Sequence, residues 1–176
     1  VISCCDSRVH VTSIFGAEAG EFFIHRNIAN LVPPYAPNKD YHGSSAAIEY
    51  AVKHLTVDHI IVLGHSNCGG IKMCHEICSN DKTNETDKNE FLSKWIDILT
   101  PGYQRIDKSK SDEDQISQLE KEGVLISLEN LAGFPFVKEA MDNGTLTIHG
   151  LWNDIGMGTV EHYDEDKKRF FTLPKD

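Results

Sequence analysis

The sequence predicts an α/β fold in which a mainly parallel central β-sheet is flanked by helices. Residues 58–63 (DHIIVL) form a continuous apolar run, which is typical of a parallel strand covered on both faces. Strand-like segments alternate along the chain with segments of helical spacing, the order expected of this fold class. The chain has 176 residues, of which 40% are apolar, so we interpret residues 1–176 as a single domain with one sizeable core.

The first half of the chain is predicted to contain three strands and three helical segments. In the segment 44–55, Ala47, Ile48 and Ala51 fall on one helical face. The consecutive prolines Pro33 and Pro34 forbid both a helix and a sheet ladder, and they predict a loop. The predicted elements are a strand at 1–3, a helical turn at 11–17, a strand at 21–26, a helix at 44–55, the strand at 58–63 and a helix that follows Gly69.

The second half is predicted to be mostly helical before it ends in three strands. Polar and charged residues dominate 79–90 and 108–114, which predicts two solvated loops. Pro101 and Gly102 are expected to end the helix that precedes them. The predicted elements are helices at 91–99, 115–131 and 135–141, and strands at 146–151, 159–163 and 169–173.

The chain is acidic, with 27 Asp and Glu residues against 17 Lys and Arg residues and a formal charge of −10. That balance disfavours binding to nucleic acid or to an anionic membrane surface. No apolar run is long enough to cross a bilayer. Five cysteines without regular spacing do not make a disulfide framework, so we expect a reducing, cytoplasmic location.

Two predicted strand ends carry thiols, an imidazole and charged groups. Cys4 follows the first strand, whereas His65 and Cys68 follow the apolar strand at 58–63. Sites in α/β sheets gather at the carboxyl ends of strands, so these residues are expected to meet. Two thiolates and one imidazole are a zinc ligand set, and the fourth position is then another protein ligand or water. A position open to water would make the site catalytic.

Asp6 and Arg8 lie two residues apart, so an extended segment would point both side chains to the same side. A surface ion pair of little energetic value is one interpretation. Beside a dication, Asp6 has two further uses. It ligates the zinc ion and closes the site, or it pairs with Arg8 and accepts a hydrogen bond from zinc-bound hydroxide. In the second case Arg8 keeps the carboxylate ionised and away from the metal.

These residues resemble the motifs of the β-class carbonic anhydrases. The likeness comprises CxDSR at 4–8 and HxxCGG at 65–70, and it continues at 20–23, 25–30, 46–52, 127–131 and 134–137. The resemblance implies the fold of that family, a zinc ion held by Cys4, His65 and Cys68, and a catalytic pair of Asp6 and Arg8. It also implies reversible hydration of CO2 to bicarbonate and a proton by zinc-bound hydroxide, in a homodimer or a larger homo-oligomer.

The resemblance further implies a narrow apolar pocket that holds CO2 beside the metal. The positions that match it are Phe23, Ile28 and Tyr50, with the backbone N–H of Gly69 near a substrate oxygen. An apolar pocket with one or two donors suits an uncharged substrate. Ordinary core packing is the alternative interpretation of each of the three apolar side chains.

Two features distinguish subgroups within the family. Members that close the metal site with the matching aspartate commonly carry a Trp three residues before the first zinc cysteine, where this chain has Val1. The context of Pro33, Pro34 and Gly43 is closer to the plant-type subgroup, which favours an open site. Family members also have amino-terminal helices before the first strand, and we expect the natural protein to carry such a segment.

Three alternatives to CO2 hydration remain at this point. Hydrolysis of carbonyl sulfide or carbon disulfide on the same fold would use the same residues. A non-catalytic zinc module that senses bicarbonate would have a closed site with Asp6 as the fourth ligand. Redox chemistry between Cys4 and Cys5 would be independent of zinc, although adjacent cysteines form strained disulfides.

Overall fold

A computed structural model of the chain describes residues 1–38, 41–79 and 90–174. Its centre is a six-stranded sheet with the spatial order β2-β1-β3-β4-β5-β6. The first four strands in that order are parallel, and β5 and β6 continue the sheet in antiparallel pairing. The strands are β1 (Ile2–Cys4), β2 (His25–Asn27), β3 (His59–His65), β4 (Thr147–Asp154), β5 (Thr159–Asp164) and β6 (Arg169–Thr172). The predicted α/β fold with a mainly parallel sheet is therefore confirmed.

Helices cover both faces of the sheet. In chain order they are α1 (Val11–Phe15), α2 (Gly43–Lys53), α3 (Gly69–Ser79), α4 (Leu92–Ile96), α5 (Thr100–Arg105), α6 (Asp112–Ala132) and α7 (Pro135–Asp142). Short 3₁₀ segments follow β2 at Ile28–Asn30 and α4 at Asp97–Leu99. Among the described residues, no helix combines the length and the apolar character that a membrane span requires.

The two faces of β3 point into different parts of the core, because side chains alternate along a strand. Ile60 and Val62 pack in a cluster with Val124 and other apolar residues of α6. Leu63 packs on the opposite face, in a cluster with Val11 of α1. The sheet is thus covered on both sides around β3, which explains the uninterrupted apolar run in the sequence.

Helix α6 lies unusually close to the sheet, and a glycine in β3 permits the approach. A Cβ atom at Gly64 would lie 2.6 Å from Cγ2 of Val124, which is fully buried. Carbon atoms in contact normally stay about 3.5–4.0 Å apart. The absence of a side chain at position 64 therefore sets the distance between α6 and the strand that carries His65.

Several predicted elements have different bounds in the structure, and two of the differences have a clear physical reason. The strand predicted at 21–26 is only β2, His25–Asn27, because β1 is short and pairs with no more than these three residues. The helix predicted at 91–99 does not end at Pro101. Pro101 lies in the first turn of α5, where the missing N–H has no helical partner to lose, and the helical path continues to Arg105.

The charged segment 108–114 is also partly helical, contrary to the predicted loop. Ser111 caps α6, since its Oγ accepts a hydrogen bond from the Asp114 backbone N–H at 3.2 Å. Three acidic residues in the first turn, Asp112, Glu113 and Asp114, suit the positive end of the helix dipole. Most of the loop predicted at 79–90 lies outside the described residues.

Candidate metal centre

Three potential metal ligands meet at the carboxyl ends of the adjacent strands β1 and β3. Cys4 is the last residue of β1, His65 is the last residue of β3, and Cys68 lies one residue before α3. Their ligand atoms all lie within 4.8 Å of one another, and all three residues are buried. This is the one group of three or more Cys, His, Asp or Glu ligand atoms at such spacing in the part of the chain that the structure describes.

The geometry of the group fits a zinc ion. The sulfur atoms of Cys4 and Cys68 are 4.0 Å apart, and two sulfurs on a tetrahedral zinc ion at about 2.3 Å each are separated by about 3.8 Å. Nδ1 of His65 lies 2.9 Å from the Ser66 carbonyl, which accepts a hydrogen bond from Nδ1–H, and Nε2 then carries a free lone pair. That Nε2 is buried and has no hydrogen-bond partner in the structure. Coordination to a metal ion would give this Nε2 a partner.

The contact between the Cys4 and Cys68 thiols shifts their pKa values in opposite directions. The hydrogen bond from Cys68 lowers the pKa of Cys4 to about 4, although burial opposes this shift. The same contact, reinforced by burial, raises the pKa of Cys68 far above its ordinary value. Burial by itself lowers the pKa of His65, but Cys4, the Ser66 carbonyl and Asp6 together outweigh burial and the net shift is upward. The Cys4–Cys68 pair therefore retains one proton, which a bound dication would displace.

Asp6 is turned towards Arg8 and forms a bidentate ion pair with it. Nε and Nη2 of Arg8 donate to Oδ1 and Oδ2 of Asp6 at 2.9 and 2.7 Å. Nη2 also donates to the Asn67 carbonyl at 3.0 Å, which ties the pair to the segment between His65 and Cys68. The hydrogen bond from Arg8 is the main reason that the pKa of Asp6 is held well below its usual range. Asp6 is therefore ionised at neutral pH, with both oxygens engaged by Arg8.

The local backbone that makes this pair is a turn rather than the predicted extended segment. The Val9 N–H donates to the Asp6 carbonyl at 3.0 Å, and the Arg8 N–H donates to Oδ1 of Asp6 at 2.9 Å. The second bond is an Asx-type contact, in which a carboxylate binds the backbone two residues on. The turn brings the two side chains together although they do not alternate as in a strand.

Two residues that the sequence analysis did not assign to the site hold its backbone in place. Glu120 of α6 is buried, and its carboxylate accepts the Cys68 N–H at 3.2 Å. Burial is the main reason that the pKa of Glu120 is raised. Arg26 donates from Nε to the Cys4 carbonyl at 2.9 Å and from Nη2 to the Asp6 carbonyl at 2.7 Å. Nothing in the spacing of Glu120 points to Cys68, which is 52 residues away.

The residues predicted to line the substrate pocket lie in two places. Ile28 packs at the start of α3, since a Cβ at Gly70 would lie 2.9 Å from its Cγ2, and Gly69 is the first residue of that helix. Phe23 and Tyr50 contact each other, with ring centres 5.9 Å apart. They lie towards the amino end of β1, because the Val1 amino group donates to the Phe23 carbonyl. A substrate role for all four residues stays a prediction.

Cys5 does not pair with Cys4 in the structure. Its side chain is exposed and its thiol is free, whereas the Cys4 sulfur contacts Cys68. The geometry therefore offers no support for a redox couple between Cys4 and Cys5.

Comparisons with known proteins point to one family. Residues 1–160 match the family model described as carbonic anhydrase. The chain is 43% identical over 171 residues to beta carbonic anhydrase 3 of Arabidopsis thaliana, which covers 96% of this chain and 65% of that protein. The chain thus spans less than two thirds of this relative's length.

Solved structures show the same likeness. The β-carbonic anhydrase CcaA superposes with a TM-score of 0.80 at 30% identity, covering 98% of this chain and 82% of that chain. A structure from a study of two tetrameric β-carbonic anhydrases of Sordaria macrospora superposes with a TM-score of 0.75 at 32% identity, covering 92% and 77%. Sequence, fold and the Cys4–His65–Cys68 group therefore agree, and the chain belongs to the β-class carbonic anhydrase family.

Proposed function

We propose that this chain is a zinc-dependent carbonic anhydrase that catalyses the reversible hydration of CO2 to bicarbonate and a proton. The observation that carries the proposal is the buried Cys4–His65–Cys68 group with an ionised carboxylate held beside it by Arg8. Membership of the β-class family supports it.

Cys4, His65 and Cys68 would hold the zinc ion. An ion with three protein ligands supplies a Lewis acid and makes a water-derived nucleophile available near neutral pH. The Ser66 carbonyl fixes the ring orientation of His65, and Glu120 fixes the backbone at Cys68. These partners keep the ligand atoms in place, which is the usual role of groups around a metal centre.

Asp6 would orient the nucleophile rather than ligate the metal. Arg8 engages both carboxylate oxygens of Asp6, so a shift of Asp6 onto the metal would break a bidentate ion pair. A carboxylate oxygen has further lone pairs, and it accepts a hydrogen bond from the attacking group while it stays paired with Arg8. This contact would direct the lone pair of the nucleophile towards the carbon of CO2.

Ile28 and Gly69 would contact the substrate on the side of α3. The N–H of Gly69 belongs to the first turn of the helix, where N–H groups have no acceptor within the helix, and so it suits an oxygen that gains negative charge. Ile28 supplies an apolar wall for an uncharged substrate. Phe23 and Tyr50 would complete the apolar lining of a substrate pocket.

The proposed functional state is a homo-oligomer in a reducing, cytoplasmic environment. Phe23, Ile28 and Tyr50 are 41%, 41% and 50% exposed in the single chain, and the rings of Phe23 and Tyr50 contact each other. A second copy would cover them. A reducing compartment is proposed because Cys4 and Cys68 bind metal only as thiolates, not after oxidation.

The test is stopped-flow hydration of CO2 by the zinc-loaded protein, compared with Asp6→Asn. The variant keeps the shape of the side chain but loses the charge, and we expect kcat/KM to fall by about 100-fold. Asp107→Asn is the matched control, because Asp107 is an exposed carboxylate between α5 and α6 that accepts from Ser109. Its activity should equal that of the unaltered protein.

The same assay separates the proposed reaction from its relatives. Carbonyl sulfide and carbon disulfide are offered in parallel with CO2. A folded, zinc-loaded protein that hydrolyses either sulfur compound but does not hydrate CO2 would contradict the proposal. Loss of zinc binding with intact activity would contradict the assigned metal centre.

A further inference from the structure

Three histidines lie side by side on one face of three adjacent strands. His59 begins β3, His149 is in β4 and His162 is in β5. In the sheet register, His149 is opposite Ile61 and His162 is opposite Leu151. Each histidine is thus diagonal to the next on the same face, a placement from which large side chains make contact.

The rings are in contact. Nε2 of His149 and Nδ1 of His59 are 3.2 Å apart, and their ring centres are separated by 5.2 Å. The ring of His162 lies 5.8 Å from that of His149 on the other side and rests against Phe171. These neighbours hold the His149 ring between two others.

The separation of the two nitrogens suits chelation. Two imidazole nitrogens at about 2.0–2.1 Å from a tetrahedral zinc ion are about 3.3 Å apart. Without a metal, one of the two rings donates an N–H to the other. When that ring moves its proton to its other nitrogen, both nitrogens present lone pairs, and no net loss of a proton is needed.

The surroundings disfavour the charged form of His149 and leave the pair accessible. Burial, and then the positive charges of His59 and His162, lower the pKa of His149. His59 is exposed, and His149 and His162 line a surface cavity of about 440 Å³ together with the acidic residues Asp164 and Glu165. His65 is six residues further along β3 than His59, or about 20 Å, so the pair is remote from the Cys4–His65–Cys68 group.

We propose that His59 and His149 form a second metal site, which binds a divalent transition-metal ion that prefers imidazole, such as Zn²⁺ or Cu²⁺. Imidazole is a favoured ligand of both ions. Water fills the remaining coordination positions, since the site opens to solvent. His162 and Phe171 position the His149 ring.

The test uses tag-free protein that carries one equivalent of zinc. Further Zn²⁺ is titrated by calorimetry, and Cu²⁺ is added to a parallel sample for electron paramagnetic resonance. We expect a second equivalent to bind, and a copper spectrum with nitrogen but no sulfur ligands. His59→Gln and His149→Gln should each weaken binding of the second equivalent at least tenfold.

His42→Gln is the matched control, because His42 bonds to Asn38 at the start of α2, and it should bind two equivalents. His59 is exposed at the start of its strand, so its variant tests the ligand without loss of the fold. Binding of one equivalent only, or a second equivalent that both variants retain, would overturn the proposal. Neither result depends on CO2 hydration, so this site and the proposed activity stand or fall separately.

Discussion

The close approach of α6 to β3 makes Gly64→Ala a sharp test of how the fold supports the metal centre. The new methyl group would lie 2.6 Å from Cγ2 of Val124, 3.5 Å from Cδ1 of Trp152 and 3.6 Å from the Glu120 carbonyl. The first distance is about 1 Å too short for carbon atoms in contact. Val124 is fully buried and β-branched, so it does not turn aside easily. Helix α6 must therefore move.

Overpacking of this kind costs about 1–3 kcal/mol. The lower chain entropy of Ala in the unfolded state offsets about 0.4–1 kcal/mol of that. We expect the free energy of unfolding to fall by about 1–2 kcal/mol, and the Tm of a chain of this size to fall by about 2–8 °C. Urea unfolding followed by circular dichroism measures the first quantity.

Gly43→Ala is the control, because a Cβ at that exposed position in the first turn of α2 meets nothing within 4 Å. Its stability should be unchanged or slightly higher. Movement of α6 also pulls Glu120 away from Cys68, so zinc should dissociate faster from Gly64→Ala. A Gly64→Ala protein as stable as the unaltered chain would show that α6 accommodates the methyl group without strain.

Three further predictions concern single side chains. Glu120→Leu removes the acceptor for the Cys68 N–H and should weaken zinc affinity about 10–100-fold. Glu120→Gln keeps an acceptor and should lose less affinity. Competition with a chelator measures both affinities, and equal losses would contradict the role of the hydrogen bond. Arg8→Lys keeps the charge but loses the bidentate geometry, so kcat for CO2 hydration should fall while the zinc content stays at one equivalent. An unchanged kcat would show that the bidentate pair with Asp6 is not needed. The hydrogen bond from Arg105 lowers the pKa of Glu129, so the Glu129 carboxyl binds a proton less readily in the folded state than in the unfolded state. Above pH 4.5 the Arg105–Glu129 pair therefore stabilises the fold, by less than about 1 kcal/mol. Relative to Glu129→Gln, that advantage should shrink as the pH falls below 4.5 in urea unfolding, and an advantage that grows in acid would refute the sign.

The fold and the meeting of Cys4, His65 and Cys68 were predictable because each has a local signature in the sequence. The run at 58–63 is apolar throughout since both faces of β3 are covered. Cys4, His65 and Cys68 follow predicted strands directly, so the rule that strand ends meet at one edge of a sheet brings them together. The helix boundaries near Pro101 and Ser111 were less predictable. A proline in the first turn of a helix and a proline that ends one look alike in sequence.

Other parts of the site depend on long-range packing that leaves no local signature. Glu120 lies 52 residues after Cys68 in the sequence, and the close packing of α6 against the sheet brings the two together. The contact between His59 and His149 likewise arises from the parallel register of β3 and β4. The spacing of residues along the chain indicates neither contact.

We expect Cys4, His65 and Cys68 to hold one zinc ion whose fourth position is not occupied by Asp6. X-ray absorption at the zinc edge, on protein loaded with one equivalent at neutral pH, tests it most directly. We predict two sulfur ligands at about 2.3 Å, one imidazole nitrogen at about 2.0–2.1 Å and one further light atom, with the same spectrum for Asp6→Asn. A ligand shell without two sulfurs, or one that changes in Asp6→Asn, would contradict the proposed metal centre.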